Sequence, residues 1–150
     1  MADNVQEELT QYNQILKRFD AFYSGLAKLC GLTDCVFWII YSILDSPEPL
    51  TQTELCSTWS LHKQTINTAL KNLETDGMIS LRSPEQNRKN KQIFLTEKGR
   101  AFAQRTVIPY MEMEQRAFGA LEEEERKEML RLNQKLLALL QTELNRHTDF

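Results

Sequence analysis

Apolar residues recur at three- and four-residue steps near the start of the chain: Leu9, Tyr12, Ile15, Leu16, Phe19, Phe22, Tyr23 and Leu26. That period predicts an amphipathic helix over 5–29, with charged side chains on much of its other face. Gly31 interrupts the pattern, and Thr33 is placed to cap a second helix that stops near Ser46, ahead of Pro47 and Pro49. The centre of that segment, VFWIIYSIL, is apolar enough to suggest a buried strand. The preceding glycine and cap, and the lack of a nearby partner strand, favour helix. Thr51 and Glu54 form a T-x-x-E capping box, so a short helix is expected from Gln52 to about Trp59. Ser60 is expected to cap the next helix, which runs to about Asp76 before Gly77 supplies a left-handed stop.

That helix has two faces. Leu61, Ile66, Ala69, Leu70 and Leu73 form its apolar stripe, while His62, Lys63, Gln64, Thr65, Asn67, Thr68 and Lys71 lie opposite. Beyond it, 78–82 and 91–95 alternate like paired strands, joined by a loop over 83–90. Thr96 should cap a helix from Glu97 onward. Pro109 is expected to kink that helix rather than end it, because Tyr110, Met111 and Met113 continue the apolar set. Leu121 opens the last segment, where the acidic run Glu122 to Glu125 suits the positive end of a helix dipole better than it suits an interaction tail. Met129, Leu132, Leu136, Leu139, Leu140 and Leu144 then form a stripe that a chain of this size can hardly cover alone.

The pattern predicts a mainly α fold with a small two- to three-stranded β wing. One domain spans 1–150, with a winged helix-turn-helix lobe over 33–99 and helical regions over 5–29 and 100–147 on either side of it. Leu132, Leu136, Leu139 and Leu140 are the part of the last stripe expected to need a partner chain.

Charge changes the picture only when it is mapped. The net charge of −3 argues, taken alone, against a nucleic-acid protein. Residues 60–100, however, hold eight Lys/Arg against four Asp/Glu, a local +4 that leaves −7 for the rest. A small basic face on an acidic body is sufficient for DNA, since only the surface near the phosphates must be positive. On the helix over 60–76, Gln64 and Asn67 can pair with adenine edges, Thr65 and Thr68 offer a hydroxyl and a methyl, and Lys63 reaches guanine or phosphate. Arg82, Arg88, Lys89 and Lys91, with Asn90 among them, lie within ten residues of one another against a single acid, Glu85. A merely solvated polar helix or hairpin edge would look similar in isolation. Helix, turn, helix and basic hairpin in sequence form a more specific pattern, in which one helix enters the major groove and the loop meets phosphates.

Other chemistry finds little support. There is no HExxH, no GxSxG and no phosphate-cradling glycine loop, so no enzyme is expected, and no cofactor or metal with it. Cys30, Cys35 and Cys56 include no CxxC, and only His62 and His147 could complement them, so buried reduced thiols are the expected reading. The polar start and the short longest apolar run, Val36 to Leu44, imply a cytoplasmic protein without a membrane span. A winged helix used only for protein contact remains the alternative; such modules usually lose both the basic wing and the polar helix face.

The residues LHKQTINTALKNLETDGMI, IFLTEKG and RTVIPYMEMEQRAFGALEEEERKEMLRL resemble the MarR family of bacterial transcription regulators, over nearly the whole chain. The resemblance implies a homodimer whose first and last helices interleave into a helical dimerisation region over 5–29 and 100–147, with Leu9, Tyr12, Leu132, Leu136, Leu139 and Leu140 as dimer contacts. It further implies binding to double-stranded DNA at a pseudo-palindromic operator, usually as a repressor. The family's wing carries Asp-x-Arg before its second strand; here Asn87, Arg88 and Lys89 stand instead, so Arg88 is the alternative residue for minor-groove contact. The resemblance also implies a pocket for a small aromatic effector, for which Phe19, Phe22, Tyr23, Phe37, Trp38 and Tyr41 are candidates, although aromatics at helical spacing are more often core. Some family members sense oxidants through a cysteine near the first helix, where Cys30 and Cys35 fall without an evident activating base.

Overall fold

In the computed structural model, residues 2–59, 62–84 and 90–148 are described. Among them are seven helices and one antiparallel β-hairpin: α1 (Ala2–Leu29), α2 (Asp34–Asp45), α3 (Gln52–Trp59), α4 (Lys63–Thr75), β1 (Ile79–Arg82), β2 (Gln92–Leu95), α5 (Glu97–Arg105), α6 (Val107–Gly119) and α7 (Glu123–Thr148). The mainly α winged-helix fold class is the observed one. No single helix among the described residues is long and apolar enough to cross a membrane.

Helix ends follow the local hydrogen-bonding chemistry. Gly31 (φ 70°) closes α1, its N–H donating to the Lys28 carbonyl while Leu32 N–H donates to that of Ala27. Gly77 (φ 73°) closes α4 in the same way, through Glu74 and Leu73. This paired pattern satisfies orphan carbonyls and needs a left-handed residue, which glycine adopts without strain. Thr33 Oγ1 accepts from Val36 N–H at the start of α2. At α3 the capping box is reciprocal: Glu54 N–H donates to Thr51 Oγ1, and Thr51 N–H and hydroxyl both donate to Glu54 Oε2. Those bonds hold the Glu54 carboxyl below the usual glutamate range.

Two boundaries differ from expectation. The N-cap of α4 is His62, without a side-chain capping bond, so the helix starts at Lys63; Ser60 and Leu61 lie outside the described residues. Pro109 does not merely kink one helix. The chain breaks at Thr106 (φ −118°, ψ −70°), and Pro109 sits in the first turn of α6, where its missing N–H leaves no helical bond unmade. Continuing α5 through this point would have driven the proline ring against the Arg105 carbonyl four residues back.

By its internal contacts the chain divides into Met1–Met111 and Glu112–Phe150. The first unit holds the main core: Phe37, Ile39 and Ile40 of α2, Leu55 of α3, Ile66, Leu70 and Leu73 of α4, Ile79 and Ile93 of the hairpin, and Ala103 and Val107. The hairpin pairs Ile79 with Leu95 and Arg82 with Gln92. Its third strand is reduced to one bridge, Thr51 to Gln92, beside a bond from Ile93 N–H to the Leu50 carbonyl. The second unit is dominated by α7, whose Leu130, Leu132, Leu137, Leu139, Leu140 and Leu144 are 48–61% exposed. In the first unit, Leu9, Ile15, Leu16, Phe19 and Phe22 along α1 are 43–55% exposed. Aliphatic and aromatic surface in such amounts along two long helices departs from what soluble single chains usually show.

Candidate nucleic-acid interface

The four-turn helix α4 is anchored from one side only. Ile66, Ala69, Leu70 and Leu73 are buried, and every apolar contact they make pulls the opposite face outward. His62, Lys63, Gln64, Thr65, Asn67, Thr68 and Lys71 are all exposed on that outward side. The Thr68 hydroxyl donates back to the Gln64 carbonyl at 2.9 Å, which commits its proton to the helix. The amides of Gln64 and Asn67 make no side-chain hydrogen bond among the described residues, so their donors and acceptors are free for base edges.

Neighbouring elements extend this face. An open cleft of about 790 Å³ runs along α4 toward the start of α2, bringing Thr33, Cys35 and Asn72 beside His62, Lys63 and Thr65. Sequence periodicity identified the α4 residues but not these three. Cys35 belongs to α2 and Thr33 caps it, and Asn72 falls at the margin of the polar stripe.

At the hairpin, Arg82 lies over the Phe94 ring with its guanidinium carbon 4.7 Å from the centroid. That contact orients a cation that would otherwise sample many rotamers. Lys91 is exposed, and half-buried Asn90 accepts a long bond (3.4 Å) from the Thr53 hydroxyl, tying the wing's return to α3. Arg88 and Lys89, the two loop cations expected to meet DNA, lie outside the described residues, as do Asn87 and Glu85.

Five of the six aromatic candidates touch in one cluster of tilted and edge-on rings, which Phe19 does not join among the described residues. Tyr23, Phe37 and Tyr41 lie against Trp38 with centroids 5.0–5.4 Å away, and Phe22 meets Tyr23 edge-on at 5.6 Å. Phe37 is fully buried, whereas Phe19 and Phe22 are about half exposed. The strongest contact involves a residue that periodicity did not flag. Trp59, at the end of α3, stacks on Trp38 at 4.4 Å and donates its indole N–H to Ser42 Oγ, which itself donates to the Trp38 carbonyl. The junction joins α2 to the end of α3.

Cys30 and Cys35 show no activation. Burial raises the Cys30 thiol above its ordinary range, and burial followed by the proximity of Cys56 raises Cys35. Both shifts favour the thiol over the reactive thiolate. Among the described residues no group of three or more His, Cys, Asp or Glu side chains is placed to hold a metal ion.

Residues 31–89 match the family model for the MarR family. No curated protein sequence matches the chain. Solved structures do. A MarR family regulator from Neisseria meningitidis superposes with a TM-score of 0.76 at 23% identity, covering 94% of this chain and 98% of that one. MepR of Staphylococcus aureus, in a complex with DNA, gives 0.64 at 22% identity over 87% and 96% of the two chains. MarR of the same organism, in complex with salicylate and kanamycin, gives 0.67 at 16% identity over 92% and 93%. At such identities the likeness establishes a shared fold.

Proposed function

We propose, from the match of residues 31–89 to the MarR family model, that this protein is a sequence-specific DNA-binding transcription regulator, a repressor that acts as a homodimer. The observation that carries the reading is the outward face of α4. Seven exposed polar side chains stand opposite four buried apolar ones, and the oriented Arg82 and exposed Lys91 flank them at the hairpin. In this reading Gln64, Thr65, Asn67 and Thr68 read base edges, while Lys63, Lys71, Arg82 and Lys91 neutralise phosphates. The loop residues Arg88 and Lys89 would add to the phosphate contacts. The likeness to a protein solved in complex with DNA supports the proposal.

Dimerisation accounts for the exposed apolar surface of the two long helices. A second copy would cover Leu9 and Tyr12 along α1, and Leu132, Leu136, Leu139 and Leu140 along α7. Burying four such leucines at about 2 kcal/mol each would favour association strongly. The lobe over 33–99 then carries the DNA contacts, and 5–29 with 100–147 supply the base. Two α4 helices related by a two-fold axis require an inverted-repeat operator with half-sites about one helical turn apart. A small aromatic effector wedged by the Trp38 and Tyr41 stack would shift the lobes away from the DNA-binding arrangement. The likeness to a protein solved with salicylate supports that step.

Selection from random duplexes tests the reading. Recovery of an inverted repeat supports it; recovery of no repeat refutes sequence-specific binding and favours a winged helix used for protein contact. Replacing Arg82 and Lys91 by alanine should weaken all duplexes alike and flatten the salt dependence. Asn67→Ala should instead relax the preference at one base position by about 1–3 kcal/mol.

A further inference from the structure

A second cleft, of about 430 Å³, opens on a different part of the first unit, where the end of α2 meets β2 and α5. Its apolar lining comes from Ile43 and Leu44 of α2, Ile93 of β2 and Ile108 of α6. The volume falls within the range of small-molecule sites, which typically combine such walls with a few convergent polar groups. Here the polar groups carry opposite charges. Arg100 and Gln104, one turn apart on the same face of α5, line one side, and Glu48 stands between Pro47 and Pro49. Among the described residues, the side chains of Arg100, Gln104 and Glu48 make no hydrogen bond, and neither charge belongs to an ion pair. Arg100 and Glu48 therefore share one cleft without satisfying each other.

The charges restrict the ligand. A simple anion would gain Arg100 but meet Glu48 with like charge, and a simple cation would suffer the reverse. A molecule bearing both charges, separated by an apolar body, would satisfy the two ends and cover the aliphatic walls. We propose that this cleft binds a small zwitterion of that kind, such as a free dipeptide of apolar amino acids. Its carboxylate accepts from the Arg100 guanidinium and the Gln104 amide, and its ammonium donates to Glu48. The proposal rests on the cleft alone and is independent of DNA binding. Its position nonetheless matters for the wing, because β2 is held at this same place by the Ile93 to Leu50 bond and the Thr51 to Gln92 bridge.

Calorimetric titration of the full chain with leucyl-leucine, N-acetyl-leucyl-leucine and leucyl-leucine amide tests the assignment. The free dipeptide should bind, and blocking either terminus should weaken binding about tenfold, the worth of one charge-assisted hydrogen bond. Arg100→Gln should abolish the preference for the free dipeptide over its amide, and Glu48→Gln the preference over the acetylated form. Both residues are exposed, so each variant should fold, which circular dichroism checks. Amide resonances of Phe94 and Ile108 should shift in the wild type. No heat at millimolar dipeptide, equal affinity for the acetylated and free forms, or shifts confined to other elements would each overturn the proposal.

Discussion

Gly99 has the least room of any glycine in the chain. A Cβ at that position would lie 1.9 Å from the Met78 carbonyl oxygen, 2.9 Å from its carbon and 3.2 Å from Leu95 Cδ2. The oxygen cannot simply retreat, because it accepts from Thr96 N–H at 3.0 Å, and the Thr96 hydroxyl shares its proton between this oxygen at 3.2 Å and the Gly77 carbonyl at 2.5 Å. Thr96 in turn caps α5 by accepting from Gly99 N–H at 3.0 Å. One methyl group would therefore displace both Met78, the residue that leads into β1, and Thr96, which bonds its carbonyl and caps α5. Overpacking a rigid site costs about 3 kcal/mol at the top of the usual range, and the lost flexibility of the unfolded chain returns about 0.4–1 kcal/mol. Gly99→Ala should thus destabilise the protein by about 2 kcal/mol. In urea, with a slope of about 1–3 kcal/mol/M, the midpoint should fall by roughly 1 M at unchanged slope and fixed protein concentration. Gly25 provides the control: a methyl group there would meet nothing within 4 Å, and the residue sits inside α1. Gly25→Ala should raise the midpoint, by up to about 1 kcal/mol in stability. A Gly99→Ala protein within about 0.5 kcal/mol of wild type would refute the argument.

Other outcomes follow from single contacts. Trp59→Phe keeps a ring against Trp38 but removes the bond to Ser42, so thermal melting should report a loss of about 1 kcal/mol; an unchanged melt would show that the bond contributes nothing. Leu140→Glu places a charge in the exposed stripe of α7 and should halve the mass seen in sedimentation equilibrium, if a second copy covers that stripe. A wild-type monomer at micromolar concentration would sink the dimer. Glu54 is held below its ordinary pKa by Thr51, so its contribution is present above the unfolded-state value and lost as pH falls through the lower folded value. Glu54→Gln should therefore be less stable than wild type at pH 7, with the gap closing in acid; a gap that widened as pH fell would contradict the cap assignment.

What the sequence determined by itself was local. Thr33, Thr51 and Thr96 each cap a helix through bonds spanning three residues, and Gly31 and Gly77 end helices through backbone bonds within six. Interactions of that reach are encoded in a few adjacent side chains, so spacing alone reveals them. The outward face of α4 was legible for a related reason, since a helix buries whatever apolar stripe it carries. Tertiary structure decided the rest. Trp59 meets Trp38 across 21 positions, Thr33 and Cys35 join the α4 face from the start of α2, and Arg100 reaches the same cleft as Glu48. Even Gly99, whose own dihedrals demand no glycine, is required only because Met78 arrives beside it. Periodicity reports which side of an element faces inward, whereas the identity of its neighbours there is settled only when the chain closes its long loops and the core packs.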